Sequence, residues 1–278
     1  MSRSPAGVCS PGPGLYGRRE WKAKVLMMAV SRRDVVTADG VLDVYLQAPD
    51  GPGPAPVVIM FPDAYGVRDT VLGMAERLSR SGYLVVVPNV FYRSGPATTG
   101  HLEINFRDPA QRARLGEVVS KAQPAAVMAD LGVLLDALAA EPGALPGPVG
   151  AIGYCIGGRF AFTAATALPE RIAAAASIHG GGLATDDPSS PYLQAGQIQG
   201  AVYVAAAHED GHHTEADHAR LVAALDEAKV DYEAEVLPAM HGFAMSDFPV
   251  YDEAAAERHW DRSLALFART LPAPASAG

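Results

Sequence analysis

Four residues of this chain could together carry acyl-transfer chemistry: the thiol of Cys155, the imidazole of His241 and the carboxylates of Asp210 and Asp63. Cys155 sits in Gly153-Tyr154-Cys155-Ile156-Gly157-Gly158, the pattern of a sharp strand-to-helix turn in which the central residue is a nucleophile. Small flanking residues let such a turn bend and let substrate approach. The usual serine is replaced here by cysteine, and a thiol at a helix N-terminus faces unpaired N–H groups that favour thiolate. A thiol needs an imidazole to take its proton and a carboxylate to hold the imidazole's tautomer. Against this stands the plain alternative of a small buried cysteine at a tight turn.

The elements that must position these groups are legible as apolar segments. Residues 57–61, 83–88, 149–152, 173–178 and 201–207 are continuous apolar strands, residues 42–46 alternate like a half-exposed strand, and another strand runs near 232–237. Helical spacing occupies 70–80, 125–140, 159–165, 214–228 and 253–270. Continuous strands separated by helices predict an α/β chain with a mostly parallel, doubly wound sheet and helices on both faces. One domain is expected over 25–271. Residues 1–24, rich in Pro, Gly, Ser and Arg, read as a disordered extension, with Met27 or Met28 as an alternative start, and 272–278 as a flexible tail. Residues 93–125 read as an irregular excursion. In a sheet of this kind the reactive groups gather just beyond the carboxyl ends of the strands. Asp63, Cys155, Asp210 and His241 each stand at such an exit.

A formal charge of −9 without a basic cluster excludes nucleic acid as the main partner. Cys9 and Cys155 are the only cysteines, too few for a disulfide framework, and no apolar run has the length of a membrane span. A cytoplasmic protein without a nucleic-acid or membrane partner is expected.

Cys155 in Gly-Tyr-Cys-Ile-Gly-Gly, Asp210 in His-Glu-Asp, His241 in Met-His-Gly-Phe and the loop Phe61-Pro62-Asp63-Ala64-Tyr65-Gly66-Val67-Arg68 together resemble the dienelactone hydrolase family over residues 33–268. The chain order of nucleophile, acid and histidine is that of α/β-hydrolases. The resemblance implies the three-layer α/β-hydrolase fold and a cysteine hydrolase that opens lactones or cleaves small esters through an acyl-enzyme, without metal or organic cofactor. The oxyanion would be held by the backbone N–H groups of Ile156 and Ala64. Founding members carry a glutamate that acts on the thiol where this chain has the shorter Asp63. They also hold the substrate carboxylate with two arginines. Arg112 matches the first, Met245 stands at the second, and a less charged ester or lactone becomes at least as good a substrate. Tyr65, Tyr92, Arg93 and Arg112 are expected to line the cleft as substrate-binding residues.

Other features compete for these roles. His208-Glu209-Asp210-Gly211-His212 fits a zinc-hydrolase pattern, but that pattern needs a helix, and this segment leaves a strand through an Asp-Gly turn. Its histidines, with His213 and His218, read as solvated. His179-Gly180-Gly181-Gly182 resembles an oxyanion loop but follows the nucleophile instead of preceding it, so a glycine turn is expected. Asp217 and Asp247 read as surface carboxylates, and His259 and Trp260 as packed or solvated. The competing function is a non-hydrolytic thiol protein on the same fold that binds a ligand or senses redox state.

Overall fold

The computed structural model describes residues 30–96 and 108–273; the leader with Cys9 and the last five residues lie outside these. The described residues build an eight-stranded sheet in the order β1-β2-β4-β3-β5-β6-β7-β8. Its strands are β1 (Ser31–Thr37), β2 (Gly40–Gln47), β3 (Val57–Phe61), β4 (Leu84–Pro88), β5 (Val149–Tyr154), β6 (Ile172–Ile178), β7 (Ala201–Glu209) and β8 (Asp231–Met240). β1 and β2 form an antiparallel hairpin laid antiparallel on β4, and every pairing from β4 to β8 is parallel.

Alternate strand residues enter opposite layers, which is why the strands read as unbroken apolar runs. From β3, Val58 and Met60 join one buried cluster while Val57, Ile59 and Phe61 join another; in β5, Ile152 and Tyr154 divide from Val149 and Ala151 in the same way. The first layer is closed by α1 (Asp69–Ser79) and α6 (Glu253–Thr270). α1 buries Val71, Met74, Ala75 and Leu78, one stripe at helical spacing. The opposite layer is α3 (Pro124–Leu138), α4 (Ile156–Ala167) and α5 (Glu215–Glu227).

Two sequence expectations are corrected. The excursion over 93–125 contains a helix, α2 (Pro109–Ser120), started by Pro109 and by the Asp108 carboxylate accepting the Ala110 N–H at 2.9 Å. It buries no residue, so it has no apolar stripe to read. β1 was not expected either: its Arg-Arg-Asp stretch is exposed, and pairing with β2 holds it in place.

β4 lies on one side of β3 and β5 on the other, so chain direction across the sheet reverses at β3. The crevice beyond the carboxyl ends at that reversal is where open α/β sheets bind ligands.

Candidate active site

Cys155 follows β5 and caps α4 with φ 56° and ψ −120°, a conformation that L-residues adopt only under constraint. The constraint is close packing. A Cβ on Gly153 would stand 1.9 Å from the Gly157 carbonyl oxygen, and one on Gly157 would stand 2.4 Å from the carbonyl oxygens of Phe61 and Pro62. Glycine at both positions lets the first turn of α4 fold onto the exits of β5 and β3. The turn projects the thiol above the sheet, half-buried.

The acid and the imidazole are set by the last strand pair. β7 and β8 are parallel neighbours in register to Glu209 opposite Met240, and the His241 N–H donates to the Glu209 carbonyl at 3.1 Å. The next side chains therefore meet: His241 Nδ1 lies 2.7 Å from Asp210 Oδ2, and His241 Nε2 lies 3.1 Å from Cys155 Sγ. The Asp210 side chain is fully buried, and its Oδ1 accepts the His212 N–H at 2.8 Å. Desolvation pulls the His241 imidazole down. The hydrogen bonds from Asp210 and Cys155, together with their charges, outweigh it and push the group up to about 10. Such a line of thiol, imidazole and carboxylate can move one proton between sulfur and nitrogen while the carboxylate fixes the ring.

The Ile156 N–H, at the first residue of α4, and the Ala64 N–H, just beyond β3, have no acceptor among the described residues. Both lie just beyond the carboxyl ends of β5 and β3.

Residues 42–271 match the model of the dienelactone hydrolase family. This chain belongs to the dienelactone hydrolase family. It is a hydrolase by that membership, and its architecture is the α/β-hydrolase fold. A "Putative carboxymethylenebutenolidase" of Synechocystis is 28% identical over 231 residues, 82% of this chain and 91% of that one. The "Carboxymethylenebutenolidase" of a Pseudomonas species is 29% identical over 126 residues, 45% of this chain and 50% of its own. Among solved structures, a "Putative Dienelactone Hydrolase" from Klebsiella pneumoniae superposes with a TM-score of 0.75 at 26% identity, covering 87% of this chain and 99% of that one.

Beside these family motifs, Asp63 pairs with an arginine. Its buried carboxylate is gripped by Arg68 through Nη1 at 2.7 Å and Nη2 at 3.0 Å, and accepts the Tyr65 N–H at 3.0 Å. Burial raises the Asp63 carboxyl against the lowering pull of Arg68. Arg68 also binds Asp247 through Nε at 2.6 Å and Nη2 at 3.1 Å, so Asp247 is no idle surface carboxylate. The guanidinium lies 5.4 Å from the Tyr65 ring centre and 5.5 Å from that of Phe248. Met245 is fully buried in the core, and Arg68 from the β3 exit binds Asp247 on the same loop.

Of the expected wall residues, Tyr65 has its hydroxyl pushed up to about 12, by burial above all and by nearby acidic charge led by Asp63, against the lowering pull of Arg68. Tyr92 and Arg93 are instead committed elsewhere. The Tyr92 hydroxyl meets Thr37 Oγ1 at 2.7 Å and Asp130 at 3.3 Å, and Arg93 pairs with Asp39 at 2.7 Å and Asp130 at 2.9 Å, tying the β1–β2 turn to α3. Arg112 is exposed on α2.

Of the histidines, His213 differs from expectation in being buried. His208 leaves at the end of β7 and His212 in the following turn, so no helix carries the pair. His212 is exposed, with its ring 5.2 Å from that of His241. His213 is buried, 3.3 Å from His218. Asp217 closes a capping box with Thr214 at the start of α5. His259 and Trp260 are buried in α6. The residue whose place the sequence did not show is His179, expected in a glycine turn and found fully buried at the exit of β6, the fourth parallel strand in chain order.

Proposed function

We propose that this protein hydrolyses small, uncharged esters or lactones through a thioester on Cys155, with His241 as proton carrier and Asp210 as its orienting carboxylate. The observation that carries the reading is the continuous contact from Cys155 Sγ to His241 Nε2 and from His241 Nδ1 to Asp210. Sulfur attacks the carbonyl carbon with its proton held on His241, and the oxygen takes up negative charge facing the Ile156 and Ala64 N–H groups. The C–O bond then breaks, and the imidazolium returns its proton to the departing alkoxide; in a lactone that alcohol remains tethered to the thioester. Water attacks the thioester with His241 taking its proton, and the carboxylate product leaves as the thiol is restored.

The uncharged substrate is supported by charge placement. Arg68 is saturated by two carboxylates, and Met245 brings no charge, so neither is open to a carboxylate on the substrate. The names of relatives point to carboxymethylenebutenolidase chemistry, the opening of a carboxylate-bearing lactone. This chain would take the same ring-opening step with a neutral acyl group. A free thiol at the reaction point fits a reducing, cytoplasmic setting. Cys155→Ala should abolish turnover of p-nitrophenyl acetate and of a neutral lactone, and Cys155→Ser should accumulate an acyl group detectable by intact mass. Full activity in Cys155→Ala would refute the reading.

A further inference from the structure

The peptide N–H of Cys155 is shared between two acceptors, the Ile178 carbonyl at 3.1 Å and the Nδ1 of His179, also at 3.1 Å. An imidazole nitrogen that accepts an N–H carries no proton, so the His179 proton lies on Nε2 and the ring is neutral. We propose that His179 is a positioning residue for the Cys155–His241 pair, holding the strained turn by its Nδ1 lone pair and backing the His241 ring with an uncharged imidazole. This rests on the reading of Cys155 as nucleophile.

Three observations converge on it. First, His179 itself has φ 37°, a left-handed conformation that a histidine keeps only when its surroundings hold it, and its N–H donates to the Ala205 carbonyl at 2.7 Å. Second, its ring stands edge-on to His241 with centres 5.2 Å apart at 64°, and to Phe243 at 5.1 Å. Third, the side chain is fully buried, and its Nε2 has no partner among the described residues. Burial, with His241 and His259 adding to it, keeps the imidazole well below its ordinary range. That matters when His241 becomes imidazolium, because a second positive ring at this distance would oppose it. The titratable groups packed around the two rings are Tyr154 from β5, Cys155, Asp210 and His212 beyond β7, and His259 from α6, on whose outer side lies the Arg77–Glu257 pair. None of these places another acceptor on the Cys155 N–H.

The test compares His179→Asn with His179→Gly in the full chain. Asn offers an oxygen acceptor and tolerates a positive φ, whereas Gly tolerates the φ and offers no acceptor. Iodoacetamide labelling of Cys155 across about pH 5 to 10 reads the thiolate directly. Hydrolysis of p-nitrophenyl acetate reads turnover, and Tm reports folding. We expect His179→Asn to keep the labelling midpoint and to hold kcat/KM within about threefold. For His179→Gly we expect a displaced midpoint and a loss of about tenfold in kcat with little change in KM. His179→Ala is the second acceptor-free variant should Gly prevent folding. The proposal is overturned if the acceptor-free variant keeps the native midpoint and kcat, or if Asn is as impaired as the acceptor-free variant at matched folded fraction. Labelling does not depend on ester turnover, so an unaltered chain that fails to hydrolyse esters would sink the hydrolase reading while the labelling comparison still decides the role of His179.

Discussion

Two buried aspartates stand at strand exits on either side of the same cleft, and their partners give them opposite uses. Asp210 meets an imidazole, Asp63 a guanidinium. An imidazole can give up and regain its proton, so its carboxylate can orient a moving proton. Guanidinium stays charged, so Asp63 and Arg68 form a fixed brace that extends through Asp247 to the loop carrying His241. Burial is the same at the two sites; the basicity of the partner decides whether the site reacts or holds.

The sharpest way to break this contrast is to alter the reactive member. Asp210→Asn should lower kcat/KM by about 10³-fold, because the amide no longer enforces the tautomer with Nε2 free for sulfur. Steady-state kinetics would show it with Tm little changed, and a loss below tenfold would mean that another group orients His241. The brace should behave in the reverse manner. Arg68→Met leaves a buried carboxylate without its cation and should cost about 3 kcal/mol in urea unfolding, with adding Asp63→Asn restoring most of that. Activity should fall far less than in Asp210→Asn.

A third outcome concerns pH. In the fold His241 is pushed up to about 10, above its ordinary 6.5, so its imidazolium stabilises the protein. That contribution is complete below pH 6.5 and is lost as pH rises through about 10. The Tm difference between the native chain and His241→Gln should therefore be constant at low pH and shrink across this window; a difference that grew with pH would contradict the sign. The smallest effect belongs to Asp247→Asn, at the half-exposed end of the brace, which should change stability by less than about 1 kcal/mol.

Much of the scaffold was legible without coordinates because a parallel sheet covered on both faces leaves continuous apolar runs, and those runs end where chemistry occurs. Residues 57–61 and 201–207 were read in this way, and Asp63, Cys155, Asp210 and His241 were found just beyond such strands. What failed to show were elements without such a pattern. α2 buries nothing, and β1 is charged and stays in place by pairing with β2. His179 was read as part of a glycine turn, since nothing in His-Gly-Gly-Gly tells that the ring folds inward against Cys155.

Residue types and their order along the chain were enough to determine the layered sheet and the turn that carries the thiol. They also named an imidazole and a carboxylate as its companions, because each depends on local periodicity or on a short motif. Only the tertiary structure decided which partner each buried group takes. The register of β7 against β8 brings Asp210 to His241, and the folding of the β3 exit against the β8 exit brings Asp247 to Arg68. Those pairings join residues far apart in sequence, and their chemistry depends on separations of about 3 Å that no local pattern encodes.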